Sequence, residues 1–211
     1  MAYNDPLTTF DAVSGWMKSV GPVDEPTVLP LIPSASELIA RFCDRDNLGG
    51  VYSYTEVRTV NPRRITSFGV NRNFRLILKR YPVVSITSVA INGAPINVLS
   101  ASDLGASPVG VYLDTNDAEP RMLDFYGLAV FPPALVQVVY TAGYSVVPDA
   151  LQQACNTLVA DMLRQPGRVG VKSLSMGGET TSYDQGSSWG MSNRVKAMCQ
   201  PFKNLVPAWE P

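Results

Sequence analysis

The 211-residue chain contains no histidine. That absence excludes serine–histidine and cysteine–histidine nucleophile pairs, and every metal site that includes an imidazole. Cysteine is scarce as well: Cys43, Cys155 and Cys199 are widely spaced, odd in number and without zinc-ligand spacing. They read as buried free thiols of a protein made in a reducing cytoplasm. Charged residues make up only 17% of the chain, against roughly 25% in ordinary soluble domains. With 45% apolar residues, some apolar surface is expected to be covered by neighbouring subunits, although a compact, weakly charged monomer meets the same numbers. No apolar run approaches the ~18 residues that span a bilayer. "MAYNDPLTTFD" has no basic stretch leading into an apolar core, so no signal peptide is expected and no membrane partner is implied.

Net charge is −1, which gives no global signature for nucleic acid. The charge is nevertheless banded. Residues 1–50 carry three basic and seven acidic groups, and 51–100 carry seven and one. Residues 101–150 carry one and six, and 151–211 carry six and four. Such banding suits contacts between identical copies.

Periodicity changes twice along the chain. "LTTFDAVSGWMKSV" predicts a short helix, with Thr8 as cap, Asp11 three residues on, and Phe10, Val13 and Met17 on one face. "SASELIARFCDRD" predicts a second helix with a Ser34–Glu37 capping box, its true start blurred by Pro30 and Pro33. From Val51 to Thr141 the period is two. "VYSYTEVRTV", "FRLILKR", "VVSITSVAI", "GVYLDT", "RMLDFYG" and "LVQVVYTAG" read as strands, and Asn92-Gly93 as a two-residue hairpin turn. "NPRRITSFGVNRN" reads as an exposed loop.

From Asp149 to Gln165 the helical period returns, started by Pro148 and stopped by Pro166-Gly167. Residues 167–188, with five glycines and five serines, read as a flexible hairpin or as a loop that orders on assembly. "MSNRVKAMCQPF" predicts a closing helix, and "KNLVPAWEP" an extended end.

Little of this carries chemistry. No glycine-rich loop is followed by Lys-Ser/Thr, so no Walker site is present. Asp114, Asp117, Glu119 and Asp124 are close enough in sequence for acid–base work, but most of them bracket a turn where such residues serve conformation. The basic run Arg58, Arg63, Arg64, Arg72, Arg75, Lys79 and Arg80 reads either as a surface for phosphate or an acidic partner, or as a solvated sheet face. A β-rich module binding a host glycan or a protein is the alternative of another class. Against it, Trp16, Trp189 and Trp209 all lie outside the β region.

The order of parts is distinctive. "LIPSASELIARF", "RYPVVSITSVAINGAPI", "VVYTAGYSVVPDALQQACNTLVADML" and "GVKSLSMGGETTSYD" follow one another before a short closing helix. In this the chain resembles the head–tail connector (adaptor) family of tailed double-stranded DNA bacteriophages. The most specific part is the strand, "TAGY", proline and helix. There Gly143 lets the chain leave the sheet sharply, Tyr144 plugs the joint, and Pro148 opens the helix at a fixed φ.

The resemblance implies a structural protein of the virion neck, assembled in the bacterial cytoplasm, with no enzymatic activity and no cofactor. It implies a homo-oligomeric, dodecameric ring beneath the portal protein. Genome DNA passes through the ring without sequence-specific binding, and a tail or head-closure protein docks on the opposite face. The expected fold is α+β: a small helical bundle carrying an inserted antiparallel β-rich domain. Residues 1–50 and 148–211 would form the body, and 51–147 the insert. Phe202, Lys203, Leu205, Val206 and Trp209 are the candidate portal-binding residues. Val169, Val171, Leu174, Met176, Arg63 and Arg64 are the candidate inter-subunit residues, and Gly143, Tyr144 and Pro148 form the structural joint.

Overall fold

Apolar pairs every four residues along Leu151–Leu163 require a helix, and a computed structural model forms one there. It describes residues 5–18, 24–60, 74–105, 108–115, 119–128, 134–164, 173–176, 179–182 and 191–204. The chain divides into two compact units, 1–50 with 146–211, and 51–145. The class is α+β. Helices are few, and among the described residues only two exceed eight residues.

The first unit contains α1 (Phe10–Met17), α2 (Glu25–Val28), α3 (Leu31–Cys43), α4 (Asp149–Arg164) and α5 (Asn193–Cys199). α4 is central, in contact with α1, α3 and α5. Its stripe of Leu151, Ala154, Cys155, Leu158 and Val159 is fully buried. Truncating any one of its leucines removes transfer energy and leaves a cavity, about 2–5 kcal/mol for Leu→Ala. Val13, Ile39, Met191 and Val195 are buried in the same unit.

Two predicted helix starts differ from the observed ones. α1 is capped by Thr9, whose hydroxyl accepts from the Ala12 N–H at 3.3 Å. Thr8 is buried instead and donates to Asn156 Oδ1 at 2.6 Å. A buried hydroxyl needs a partner, and α4 supplies a better one than the exposed helix start. α3 begins at Leu31, ahead of the expected Ser34–Glu37 box. Pro33 falls in its first turn, where no intrahelical N–H bond is lost. Ser34 accordingly donates back to the Pro30 carbonyl at 3.1 Å, and Glu37 pairs with Arg41 at 2.5 Å.

The second unit is two four-stranded sheets. One has the order β1 (Val51–Val60), β8 (Ala134–Gly143), β3 (Val83–Ile91), β4 (Ala94–Ile96). The other has the order β2 (Phe74–Ile77), β7 (Met122–Tyr126), β6 (Gly110–Leu113), β5 (Val98–Leu99). Alternation places Val136, Val138, Tyr140 and Ala142 of β8 in a core shared with Leu76, Val111, Leu123 and Phe125 of the other sheet. Asn92 and Gly93 both have positive φ, 51° and 82°, and close the β3–β4 hairpin as expected.

The sheets are not wholly antiparallel, which corrects the expected insert. β5 runs parallel to β6, pairing Val98 with Val111 and Leu99 with Tyr112. Parallel neighbours need a crossover and not a tight turn. The connection starts with a short 3-10 turn at Ala101–Asp103.

Candidate interaction surfaces

Of the expected joint, Gly143 ends β8 with φ 129°. A side chain is strained in that region, and glycine is not. Its N–H donates to the Pro82 carbonyl at 2.9 Å, which anchors the strand end within the β unit. Tyr144 is half-buried, and its hydroxyl donates to the Glu119 carboxylate. In the helical unit the Pro148 carbonyl accepts from the Leu151 and Gln152 N–H groups at 2.9 and 3.1 Å, so Pro148 caps α4.

The root of the C-terminal segment packs on the end of α3. α5 runs into a 3-10 turn at Gln200–Phe202. The Asn204 N–H then donates to the Cys43 carbonyl at 2.7 Å. Arg45 donates to the Phe202 carbonyl at 3.4 Å, and the Lys203 ammonium lies 5.4 Å from the Phe42 ring centroid. Phe202 and Lys203, expected to face a partner, thus contact their own unit. Leu205, Val206 and Trp209 lie outside the described residues.

Three members of the basic run are engaged within the β unit. Arg75 makes a two-pronged ion pair with Asp124, at 2.6 and 3.0 Å, and this raises the Arg75 pKa further. Arg58 pairs with Glu56 on the same strand. Arg80 stacks over Tyr54 at 5.4 Å. Arg63, Arg64 and Arg72 lie outside the described residues. Two of the acidic cluster are likewise engaged: Asp124 holds Arg75 and Glu119 holds Tyr144. Asp117 lies outside the described residues.

Sequence reasoning missed the polar centre of this unit. Glu56 Oε2 accepts from the Tyr140 hydroxyl at 2.9 Å and from the Lys79 N–H at 3.1 Å. Tyr140 is fully buried and its ring lies 5.9 Å from that of Tyr54, its register partner on β1. Burial first, and then the Glu56 charge, raise the Tyr140 pKa well above the ordinary tyrosine value. The available signal was the single acid among seven basic groups in residues 51–100.

The outward row of β1 is Val51, Ser53, Thr55, Val57 and Thr59, all exposed and none charged. Leu135 on β8 and Val84 on β3 add exposed apolar area to the unit. Among the described residues, the remaining candidate element is a hairpin of β9 (Ser173–Met176) and β10 (Glu179–Ser182). Leu174 and Met176 lie on β9, while Val169 and Val171 lie outside the described residues. No group of three acidic or thiol side chains among the described residues could hold a metal ion.

Compared with curated proteins, the chain has no match. Among solved structures it is similar to a chain in the neck of an empty GTA particle computed with C6 symmetry. That similarity has 15% identity and a TM-score of 0.49, and covers 98% of both chains. The family profile described as "Head completion protein" matches residues 6–205.

Proposed function

The chain belongs to the head completion protein family, and on that premise we propose that it is the adaptor subunit of a tailed phage neck. Its role is structural, in the joining of head and tail. In this reading the subunits form a dodecameric ring beneath the portal. The genome passes through the lumen without sequence-specific contact, and a tail or head-closure protein docks on the far face. The helical unit serves as the body and the β unit as its insert. The protein is no enzyme and needs no cofactor.

The observation that carries this reading is the extent of the family match, which runs through both compact units. The uncharged outward row of β1 supports a contact with a neighbouring subunit, since charge is depleted at the centres of such interfaces. The β9–β10 hairpin, with its alternating Leu174 and Met176, supports strand addition to an adjacent copy.

Mixing the purified protein with portal rings tests the proposal. Co-sedimentation and a ring of added density by negative stain are expected; a monomer that never enters the portal fraction overturns it. The tail carrying Leu205, Val206 and Trp209 is the proposed portal dock. Deleting residues 205–211 keeps the Asn204–Cys43 bond and should leave the thermal melt unchanged while abolishing co-sedimentation. If the truncated subunit unfolds, the tail belongs to the subunit's own core.

A further inference from the structure

We propose that Cys43 and Cys199 are a redox pair, and that a disulfide closes between α3 and α5 when the subunit meets a low-molecular-weight disulfide such as glutathione disulfide. Both thiols are free and fully buried in the helical unit, although 156 residues separate them in sequence. Cys43 is the last residue of α3 and Cys199 the last of α5, so each sits where its helix can adjust. The Cys43 thiol donates to the Cys199 backbone carbonyl at 3.7 Å, which places the two residues side by side. Bridging turns the two side chains toward each other at two helix ends.

The surroundings divide the labour between the sulfurs. The interaction with Cys199, together with the nearby Arg45 and Lys203 charges, holds the Cys43 thiol below its ordinary range. The same interaction, joined by burial, holds Cys199 above it. In the proposed exchange Cys43, which the Arg45 and Lys203 charges face, attacks first. It displaces one thiolate from the reagent disulfide, forming a mixed disulfide, and that thiolate takes up the Cys43 proton. Cys199 then attacks the Cys43 sulfur and releases the second reagent thiolate, which takes up the Cys199 proton. Two protein thiols are oxidised and one reagent disulfide is reduced to two thiols.

The described end of the chain lies against Cys43. Asn204 bonds to its carbonyl, and the Gln200–Phe202 turn follows Cys199 directly. Fraying of this terminal segment admits the reagent, and the closed bond would lock its root to α3. Cys155 is the competitor. It lies within electrostatic range of Cys199, but it faces Ser36 at 3.6 Å, and burial pushes its thiol up to about 11. The inference rests on the subunit's own fold, so a failed portal assay leaves it standing.

The test is thiol counting on the full chain, incubated with glutathione disulfide, quenched by acid and titrated after denaturation. The reduced protein titrates three thiols. The oxidised monomer should titrate one, and peptide mapping should join Cys43 to Cys199. The C155S variant should fall from two thiols to none, and dithiothreitol should restore both. Three thiols remaining after oxidation, a lasting glutathione adduct, or a bond that includes Cys155 would each overturn the assignment.

Discussion

The helical unit and the β unit are held together in different ways. In the helical unit the key contacts join distant stretches of chain: Thr8 meets Asn156 across 148 residues, and Ser36 meets Cys155 across 119. The β unit is one continuous stretch, residues 51–145, and its longest strand pairing closes within it. Among the described residues the first also buries Thr8, Ser36, Arg45, Asn47 and Asn156, whereas the second places a carboxylate–tyrosine pair beside its core. Loop-closure entropy makes the first arrangement dependent on both ends of the chain. The second depends only on itself.

The largest expected effect comes from separating the two. A fragment of residues 51–145 should retain strand circular dichroism and a cooperative melt. Residues 1–50 alone should lose helical signal almost entirely, because α1 and α3 pack on α4 and isolated helices of 8 and 13 residues are marginal in water. Cooperative helix melting in the short fragment would break the comparison.

Next in size is the polar pair of the β unit. Tyr140→Phe leaves the Glu56 carboxylate short of a donor and should cost about 1–3 kcal/mol. The pH dependence has a definite sign. Folding raises the Tyr140 pKa, so its contribution is complete below the unfolded tyrosine value of about 10. Above that pH the unfolded state loses its proton while the folded state keeps it, and stability falls by up to about 1.4 kcal/mol per pH unit. Urea titrations from pH 9 to 11 should show a steeper decline in wild type than in Tyr140→Phe. Parallel declines would move the cause to other tyrosines.

The hairpin turn comes third. Asn92 Oδ1 accepts from the Leu135 N–H at 2.8 Å, and the Asn92 N–H returns a bond to the Leu135 carbonyl at 2.8 Å. Asn92→Ala loses the side-chain acceptor and strains a φ of 51°, for about 1–2 kcal/mol. Asn92→Gly relieves the strain but not the lost bond, so the difference between the two variants separates the terms.

Legibility follows the same division. Where one local rule decided the structure, the residues announced it: the four-residue pairs of α4, the alternation of β1 and β8, and the Asn92-Gly93 turn. Where two rules competed, the sequence misled. Ser34–Glu37 looks like a capping box, but Pro33 is as acceptable in a first turn as before a helix, and α3 starts at Leu31. Thr8 looks like a cap until its partner Asn156 is brought in from the far end of the chain. The parallel β5–β6 pair, two residues long, carries no periodic signal at all. Among the candidate contact residues, those in 202–204 proved to have partners in their own unit, which only the end of α3 could reveal.

The smallest effect is expected where the charge is most visible. Arg75 and Asp124 form a well-aligned pair, yet the arginine side chain is 55% exposed. Exposed pairs return little once solvent screening and side-chain ordering are counted, so a double-mutant cycle of Arg75→Gln and Asp124→Asn should give a coupling below about 1 kcal/mol. That coupling should shrink further in 1 M salt, where the screening length is about 3 Å. The partly buried Glu56–Tyr140 bond should change little under the same conditions. A coupling of 2 kcal/mol or more at Arg75–Asp124, unmoved by salt, would mean that the outer face of this sheet is part of its stabilising structure. A small coupling frees the pair for another purpose. Loss of portal co-sedimentation in Arg75→Gln, with the melt unchanged, would then assign this charge to assembly and not to folding.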